Sequence, residues 1–373
     1  MKATYSMQHS PQQSESRSAA ASSAAARLRG WLLSPGIQQR EGAHAGGVAG
    51  SLDAQGRARY VYPEITGYYL HWLAEARDAT GLDEARVAAA RATDWARRQF
   101  ERGTLPPTRA YLVDAPHDWR NDAAFFFDFA MLLRGLCAAS EARLIAPPLQ
   151  TLQRIVDELE RFVSPDGEIH AARVLRAGAQ LPTRWSTLGG AFEVKASSRV
   201  TLAARYLSLP PRLQEACEAL ADRYSDSAQK IALDMLHPTL YFAEGLLVAR
   251  PRCAGQVAVL LQRLLELQHA DGSLPEADRG SPLPRSDIIA QALRVGLLLQ
   301  VQRVDGAPAP DVLHRLAGAL IERVDAAGRI AFVPDTSAAA LPNVWCGMFA
   351  EQALRWYGAC CEGRPLPGVE WLV

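Results

Sequence analysis

The segment RYVYPEITGYYLHWL, residues 59–73, decides the fold because the junction it contains recurs along the chain. Before Pro63 the residues are aromatic and extended, and after it they continue as an apolar helix. Glu64 follows the proline in the first helical turn, where proline is tolerated and the helix dipole stabilises a carboxylate. The junction therefore predicts a helix start that carries an acidic side chain.

Helices of two kinds alternate along the sequence. The first kind is amphipathic, with one charged face, and is predicted at residues 25–34, 83–102, 147–163, 211–224, 253–268 and 310–324. The second kind is apolar nearly all round and is predicted at residues 65–76, 123–139, 195–208, 237–249, 286–301 and 343–359. Helices of the second kind have no face suited to water, so we expect the amphipathic helices to enclose them.

Glycine turns separate most amphipathic helices from the apolar helix that follows. Examples are DAQGRARYVYP, SPDGEIHA, HADGSLPEA and DAAGRIAFVP, at residues 53–63, 164–171, 269–277 and 325–334. Glycine tolerates positive φ, so these turns reverse the chain tightly between short extended arms. Six alternations of this kind predict an all-α fold of the (α/α)6 toroid class, similar to six-hairpin glycosidases, with short β-hairpin turns between helices. A solenoid of two-helix repeats is the alternative.

Composition limits the location and the partners of the protein. The chain has 373 residues with 40 basic and 40 acidic side chains, a balance that argues against a nucleic-acid partner. It has neither an apolar run long enough to span a membrane nor the apolar core of a secretory signal. Its six cysteines form no CxxC pair, so we expect no metal site, no cofactor and a cytoplasmic location. Residues 1–24 are predicted to be a disordered tail, and residues 25–373 a single toroid domain.

The toroid prediction places the starts of all six apolar helices around one opening. Acidic and histidine side chains near these starts are the candidate catalytic residues Glu64, Asp118, Glu193, His237 and Glu244. Aromatic and charged neighbours are the candidate substrate-binding residues Tyr62, Tyr68, Tyr69, His117, Trp119, Arg120, Asp122, Trp185, Tyr241, Arg285, Asp287 and Trp345. Flat rings cover the apolar faces of sugars, while acids accept hydroxyl hydrogen bonds or move protons. The pattern therefore predicts a carbohydrate cavity.

Several of these residues also have purely structural interpretations. Glu64 suits a capping acid, and either Asn121 or Asp122 suits an ordinary N-cap. A histidine at a helix start, such as His237, is often a cap or a packed ring. Asp287, Gln291 and Arg294 follow one helical line, as an internal ion pair would, and Trp345 suits either a stacking platform or the core.

Three segments resemble landmarks of bacterial Vps-type polysaccharide biosynthesis proteins. These are YPEITGYY at 62–69, HPTLYFAEGLL at 237–247 and RSDIIAQALRVG at 285–296. The resemblance covers roughly residues 45–360 and implies a six-hairpin toroid in a polysaccharide or exopolysaccharide context. Other polysaccharide assembly proteins are then possible partners.

The sequence favours an enzyme that acts on a glycan or a sugar precursor, as a glycoside hydrolase, a lyase or an epimerase. Hydrolysis requires a pair of carboxylates, whereas a lyase or epimerase requires a base such as His237 and an arginine beside the substrate acid. A non-catalytic glycan-binding or scaffold protein of a polysaccharide assembly system is the first alternative. An isoprenoid-cyclase-like enzyme is the second, although the chain has no DDxxD cluster.

Overall fold

The computed structural model describes residues 11–101, 103, 105–112, 118–279, 283–334 and 341–373, with side chains from Glu15 onward. These residues form fourteen α-helices. They are α1 Pro11–Leu32, α2 Pro63–Glu75, α3 Arg77–Thr80, α4 Leu82–Glu101, α5 Phe126–Glu141, α6 Leu149–Glu160, α7 Trp185–Leu188, α8 Glu193–Ala203, α9 Pro211–Ser225, α10 Leu236–Ala249, α11 Ala254–Leu265, α12 Ser286–Val301, α13 Pro310–Glu322 and α14 Val344–Cys361. Four short strands are β1 Tyr60–Val61, β2 Ala110–Tyr111, β3 Ala123–Phe125 and β4 Ala172–Val174.

Each of the twelve predicted helices has a counterpart in the structure, and burial separates the two kinds as expected. In the apolar helix α12 every residue from Ser286 to Gln300 is buried. In the amphipathic helix α6 the buried residues are Thr151, Leu152, Ile155, Val156 and Leu159, which share one face. The alternation read from the sequence is therefore an alternation of fully and partly buried helices.

The predicted glycine turns are also present. Gly56, Gly167, Gly272 and Gly328 all have positive φ, between 77° and 86°. Antiparallel bridges join Leu52 to Ala58 and Val163 to Ile169 across the first two of these turns. Residues with a side chain rarely adopt such φ values, which explains why glycine stands at each reversal.

The contacts divide the chain into two compact units. The continuous unit is Leu33–Arg223, and the discontinuous unit joins α1 to Tyr224–Val373. Each is described separately here. The prediction of a single domain over residues 25–373, and of one opening shared by six helix starts, stays a prediction.

In the continuous unit, α5 packs against both α2 and α8, while α4 packs on α2 and α6 on α5. Strand β1 pairs antiparallel with β2, opposing Tyr60 to Tyr111, and ends two residues before α2. Strand β3 pairs antiparallel with β4 and leads directly into α5. Both strand pairs thus fix the chain immediately before an apolar helix.

Two glycines allow α2 and α5 to approach backbone to backbone. A Cβ atom built on Gly67 would lie 2.5 Å from the Met131 carbonyl, and one built on Gly135 would lie 2.2 Å from the Gly67 carbonyl oxygen. Real Cβ atoms essentially never come this close to backbone atoms. The helix pair therefore requires glycine at both positions.

In the discontinuous unit, α12 packs against α10 and α14, and α11 and α13 both pack against α12. The first helix, α1, packs mainly along α14 and also touches α13. Each unit therefore has three successive apolar helices in contact, with amphipathic helices packed on them. No helix in the described ranges is both long enough and apolar enough to cross a membrane.

The expectation of a disordered tail is wrong for residues 11–24, which belong to α1. Ala21 and Ala24 are fully buried, and the Ser18 hydroxyl donates a hydrogen bond of 2.6 Å to Glu362. The Ser/Ala-rich composition that suggested disorder instead supplies small side chains, which allow α1 to lie close to α14. Residues 1–10 lie outside the described residues.

Replacing Gly135 with alanine tests the close helix contact. We expect Gly135→Ala to lose about 1–3 kcal/mol of unfolding free energy, because the methyl group forces α2 and α5 apart. Gly318→Ala in α13 is the matched control, since a Cβ there meets nothing within 4 Å. Alanine should leave stability unchanged or raise it by about 0.5–1 kcal/mol at that half-buried helical position. Urea denaturation of both variants measures the difference, and equal stabilities would refute the contact.

Candidate functional site

Three carboxyl groups gather in the continuous unit, one on each of its apolar helices. Glu64 lies in the first turn of α2, Asp128 in the first turn of α5 and Glu193 at the start of α8. Their side chains are 7%, 2% and 2% exposed. Contact between α2, α5 and α8 brings them together, as the start of each helix carries one acid.

Burial raises the pKa of both Asp128 and Glu193 well above the usual carboxyl range, and the negative charge of Glu64 raises each further. Among the described residues, neither oxygen of Glu193 has a hydrogen-bond partner, and neither does Oδ2 of Asp128. A buried carboxyl group without partners favours its neutral form. The cluster therefore combines Glu64, whose negative charge raises the pKa of its neighbours, with two carboxyl groups that favour their protonated forms.

Tyr62 connects this cluster to the surface. It is half-buried at the N-cap of α2, and its hydroxyl hydrogen-bonds to Glu64. Burial raises the pKa of Tyr62 well above its usual value, and the charges of Asp128 and Glu64 raise it further, so the hydroxyl keeps its proton and donates. On the far side of the cluster, the Thr108 side chain hydrogen-bonds to Asp128.

A half-buried rim of arginine and aromatic side chains lies beside Tyr62. The Arg120 guanidinium is 4.5 Å from the Trp119 ring centroid, and that of Arg184 is 5.6 Å from the same ring. Arg109 lies 4.2 Å over the Tyr60 ring. Trp185, at the start of α7, packs edge-on against Phe192 at 4.9 Å. The predicted residues Trp119, Arg120 and Trp185 are thus near one another.

Asp118 and Asp122 have structural partners on this rim. Asp118, not Asn121 or Asp122, caps the 3₁₀ helix Trp119–Asp122, accepting from the Arg120 backbone at 2.9 Å and from its guanidinium at 2.6 Å. Burial alone would raise the pKa of Asp118, but these two donors lower it below the usual value. Asp122 forms an ion pair of 2.7 Å with the exposed Arg176. The lowered pKa of Asp118 favours its charged form, and Asp122 is held in an ion pair.

Two predicted tyrosines have packing partners of their own, and one predicted histidine is not described. Tyr69 packs on Trp72 and lines a cavity of about 310 Å³ formed by residues 33–40 and α4. Tyr68 is buried, with the Lys195 amine 4.9 Å from its ring centroid. His117 lies outside the described residues.

The discontinuous unit contains a second constellation, centred on His237 in the first turn of α10. Its Nδ1 lies 2.7 Å from Gln291 Oε1 and 3.2 Å from Asp287 Oδ2. A carboxylate can only accept, so Nδ1 carries a proton and donates it to Asp287. Tyr241 fixes the ring from one side, with centroids 4.3 Å apart.

Asp287 is itself held by four donors. Arg285 approaches it in a two-pronged geometry, Nη2 to Oδ2 at 2.7 Å and Nε to Oδ1 at 3.1 Å, while Ile288 N and Trp345 Nε1 donate at 2.9 and 3.4 Å. Burial alone would raise the pKa of Asp287, but the charges of Arg285 and His237 lower it to about 2. The predicted residues His237, Asp287, Arg285 and Trp345 thus form one hydrogen-bonded group.

Glu244 has a different environment. It forms a 2.6 Å ion pair with Arg294, and both side chains are fully buried. Arg294 also donates to Gln352 at 3.0 Å and lies 4.1 Å from the Phe349 ring centroid. Asp287, Gln291 and Arg294 therefore have different partners. The first two contact His237, and Arg294 contacts Glu244. This geometry favours a structural role for Glu244.

Several residues of these groups escaped the sequence analysis, namely Thr108, Arg109, Asp128, Glu276 and Phe332. Asp128 had a signal, because a single acid inside FFFDF resembles the isolated Glu244 in its own apolar helix. Glu276 pairs with Arg285 at 2.8 Å, and Phe332 lies 4.2 Å below the same guanidinium. Both come from the glycine turns HADGSLPEA and DAAGRIAFVP, whose sequence pattern indicates a chain reversal and does not indicate a side-chain partner. In the described ranges, no group of three or more His, Cys, Asp or Glu residues has the arrangement of a metal site.

Comparison with solved structures identifies the fold. Cellobiose 2-epimerase from Spirochaeta thermophila matches with a TM-score of 0.67 and 15% identity, over 95% of this chain and 98% of that one. A D-mannose isomerase matches with a TM-score of 0.67 and 13% identity, over 90% and 96% of the two chains. An unsaturated glucuronyl hydrolase specific for heparin matches with a TM-score of 0.65 and 12% identity, over 91% and 96%.

Sequence comparison adds no family. No protein-family model matches the chain, and no curated protein sequence matches it. The structural matches are to enzymes of the (α/α)6 toroid class, and they extend over nearly the whole chain. The prediction of an all-α, (α/α)6-toroid fold is therefore confirmed.

Glu193→Gln tests the raised pKa in the carboxyl cluster. The folded pKa lies above the unfolded value, so the wild-type protein loses stability as pH rises through that interval. A neutral amide removes the loss, and we expect Glu193→Gln to gain stability relative to wild type between pH 5 and pH 8. Glu215→Gln, at an exposed position on α9, should show no such change. Urea denaturation at both pH values measures this, and a pH-independent difference would contradict the assignment.

Asp287→Asn should show the opposite pH dependence. The folded pKa of about 2 lies below the unfolded value of 3.8, so the charged group stabilises the fold above pH 3.8 and loses this effect as pH falls through 2. That shift corresponds to about 2 kcal/mol at neutral pH, which the asparagine variant should lose. The deficit should shrink on acidification to pH 3. Asp305→Asn, an exposed control in the same unit, should have no deficit at either pH, and a constant deficit for Asp287→Asn would refute this role of its charge.

Proposed function

We propose that this chain is a carbohydrate-processing enzyme whose reaction depends on proton transfer by the carboxyl cluster of Glu64, Asp128 and Glu193. The observation that supports it most strongly is the placement of three buried carboxyl groups on three adjacent apolar helices, with the pKa values of Asp128 and Glu193 raised by burial and by Glu64. Environments that separate the pKa values of neighbouring acids supply an acid and a base at the same pH. Structural packing alone has no need of a buried glutamic acid whose two oxygens lack partners.

The residues have distinct roles in this proposal. Glu64 is the base, because the Tyr62 hydroxyl donates a hydrogen bond to it and so favours its charged form. Glu193 is the general acid, because burial and the Glu64 charge favour its protonated form. Asp128, held by Thr108, is a second carboxyl group with a raised pKa beside Glu64. Loss of one such acid or base typically lowers a rate by about 10²–10⁴-fold.

The half-buried rim supplies the means of holding a sugar. Trp119 and Trp185 are half-buried indole rings, which suit the apolar faces of a pyranose. The enzymes with similar structures are named as a sugar epimerase, a sugar isomerase and a glycuronyl hydrolase, all of which act on carbohydrates. Hydrolysis, elimination and epimerisation all require proton transfer, so the same cluster serves each. The sequence resemblance to Vps-type proteins supports a substrate from bacterial polysaccharide biosynthesis or processing.

The His237 constellation of the discontinuous unit is a second candidate centre. Asp287 and Gln291 keep the proton on Nδ1, which leaves Nε2 as the base of the neutral ring. A histidine of this kind suits abstraction of a proton from a sugar carbon, as an epimerase or isomerase requires.

Turnover of a saccharide panel in D₂O tests the proposal. Neutral and uronate-containing oligosaccharides are incubated with the protein, and products are followed by NMR. Deuterium on a sugar carbon indicates epimerase or isomerase chemistry, a new reducing end indicates hydrolysis, and absorbance near 232 nm indicates elimination. We expect Glu64→Gln to lower kcat at least 100-fold while the thermal transition stays near that of wild type.

The matched control is Glu215→Gln, which should retain wild-type turnover. His237→Gln distinguishes the two centres. If His237 is the base that abstracts a proton from the sugar carbon, this variant should lose deuterium incorporation and no other activity. Full activity in Glu64→Gln would exclude the carboxyl cluster as the catalytic group. Saccharide binding without any product would assign the chain to non-catalytic glycan-binding proteins.

A further inference from the structure

Three arginine side chains on the rim of the continuous unit form a cluster that the proton-transfer proposal does not use. This arginine rim consists of Arg109, Arg120 and Arg184. Arg120 and Arg184 lie over the same Trp119 ring, at 4.5 and 5.6 Å from its centroid. The Arg109 backbone N–H donates to the Arg120 carbonyl at 3.3 Å, which ties the third member to the second.

The arginine rim has more positive charge than its neighbours neutralise. Asp118 pairs with Arg120 at 2.6 Å. Among the residues the structure describes, Arg109 and Arg184 form no ion pair, and Nε of Arg184 is buried without a hydrogen-bond partner. By contrast, Arg176, which lies two residues after the end of β4, is paired with Asp122. Arg109 hydrogen-bonds to the Tyr111 side chain and its pKa is raised, whereas Arg184 holds its charge without a counter-ion in a half-buried position.

This arrangement is electrostatically unfavourable in the empty protein. Burial lowers the pKa of Arg184, and the positive charges of Arg120 and Arg109 lower it further. Both unpaired guanidinium groups act electrostatically on Tyr62, the residue that hydrogen-bonds to Glu64. An anion that entered between them would relieve the repulsion and would lie beside the carboxyl cluster. A guanidinium fork matches the two oxygens of a carboxylate or a phosphate.

The rim also has the aromatic surfaces that a sugar ring needs. Trp119 is packed against Phe125 at 6.1 Å, and Trp185 against Phe192 at 4.9 Å, so both indoles are fixed in place. A rigid indole flanked by guanidinium groups suits a ring that is apolar on one face and negatively charged at one substituent. A neutral sugar would use the indoles alone and leave Arg184 without a counter-ion.

We propose that the arginine rim binds the anionic group of an acidic saccharide, so that the substrates of this site are negatively charged sugars. The inference rests on the proposed function, because it assigns the substrate class of the same site. A uronate carboxylate and a sugar phosphate share the required chemistry. Positive charge at the rim would draw either anion towards the cluster and orient it on Trp119.

Binding measurements test the inference without depending on turnover. Methyl glucuronide, glucose 6-phosphate and methyl glucoside are titrated into the full chain by calorimetry or ligand-observed NMR. We expect one of the two anionic sugars to bind at least 10-fold more tightly than the neutral glucoside, and its affinity to fall as salt rises. The preferred anion identifies the source of the charge.

Variants connect the preference to the rim. Arg184→Gln should weaken binding of the preferred anion about 10-fold or more, Arg109→Gln should do the same, and Arg184→Lys should restore part of it. Arg176→Gln removes an arginine that already has a partner and is the matched control, with affinity unchanged within about 2-fold. Thermal transitions of all four variants confirm that each is folded.

Two results would overturn the inference: equal affinity for charged and neutral sugars, or unchanged anion binding in both Arg184→Gln and Arg109→Gln. Failure of the proposed function has a different signature. If the anion binds in an Arg184-dependent manner but the protein and its Glu64→Gln variant are equally inactive, the rim assignment stands and the catalytic assignment falls.

Discussion

Polar side chains on the apolar helices determine the chemistry of this structure, because such helices offer them no water. A buried ionisable group must find a partner of opposite charge or change its protonation state. In the continuous unit, Glu193 and Asp128 follow the second course, with raised pKa values and oxygens that lack donors. In the discontinuous unit, Asp287 and Glu244 follow the first, each with an arginine within 2.7 Å.

The two courses give the units different chemical capacities. A carboxyl group that retains its proton near neutral pH can donate it, which an ion-paired carboxylate cannot do. An ion-paired carboxylate can instead fix a neighbour, as Asp287 fixes the tautomer and orientation of His237. Burial of similar residue types on similar helices therefore yields an acid in one unit and an oriented base in the other. The distinction arises from whether an arginine side chain forms an ion pair with the acid, as Arg285 does with Asp287 and Arg294 does with Glu244.

The sequence was sufficient for the helices and for half of the site. Apolar and amphipathic periodicity, together with glycine at each reversal, predicted twelve helices because those patterns reflect burial and backbone conformation directly. Glu64, Glu193, His237 and Asp287 were found because each polar residue interrupts an apolar helix near its start. Arg109 was not, because its position depends on the pairing of β1 with β2, which brings two segments about 50 residues apart into register. The partner of Glu244 was equally invisible, since Arg294 comes from a different helix.

The prediction of disorder from composition was wrong for the segment in α1, because tertiary packing stabilises that helix. A Ser/Ala-rich segment has too few large apolar groups to fold alone, and disorder is the usual inference. Here the same small residues fit along α14, so the helix is stabilised by a distant partner that local composition does not show. Asn121 and Asp122 are a comparable case, because both suit an N-cap of the apolar helix, whereas Phe125 occupies that position in α5 and no side chain caps it.

Packing of α1 against α14 has a consequence for how the chain reaches its native state in the cell. The continuous unit, Leu33–Arg223, has all its helices in one uninterrupted stretch and can assemble while the ribosome is still adding residues. Helix α1 leaves the ribosome before α14, and its binding surface is made by residues 344–361, more than 300 positions later. Until those residues have been made, its alanine face therefore stays without its native cover.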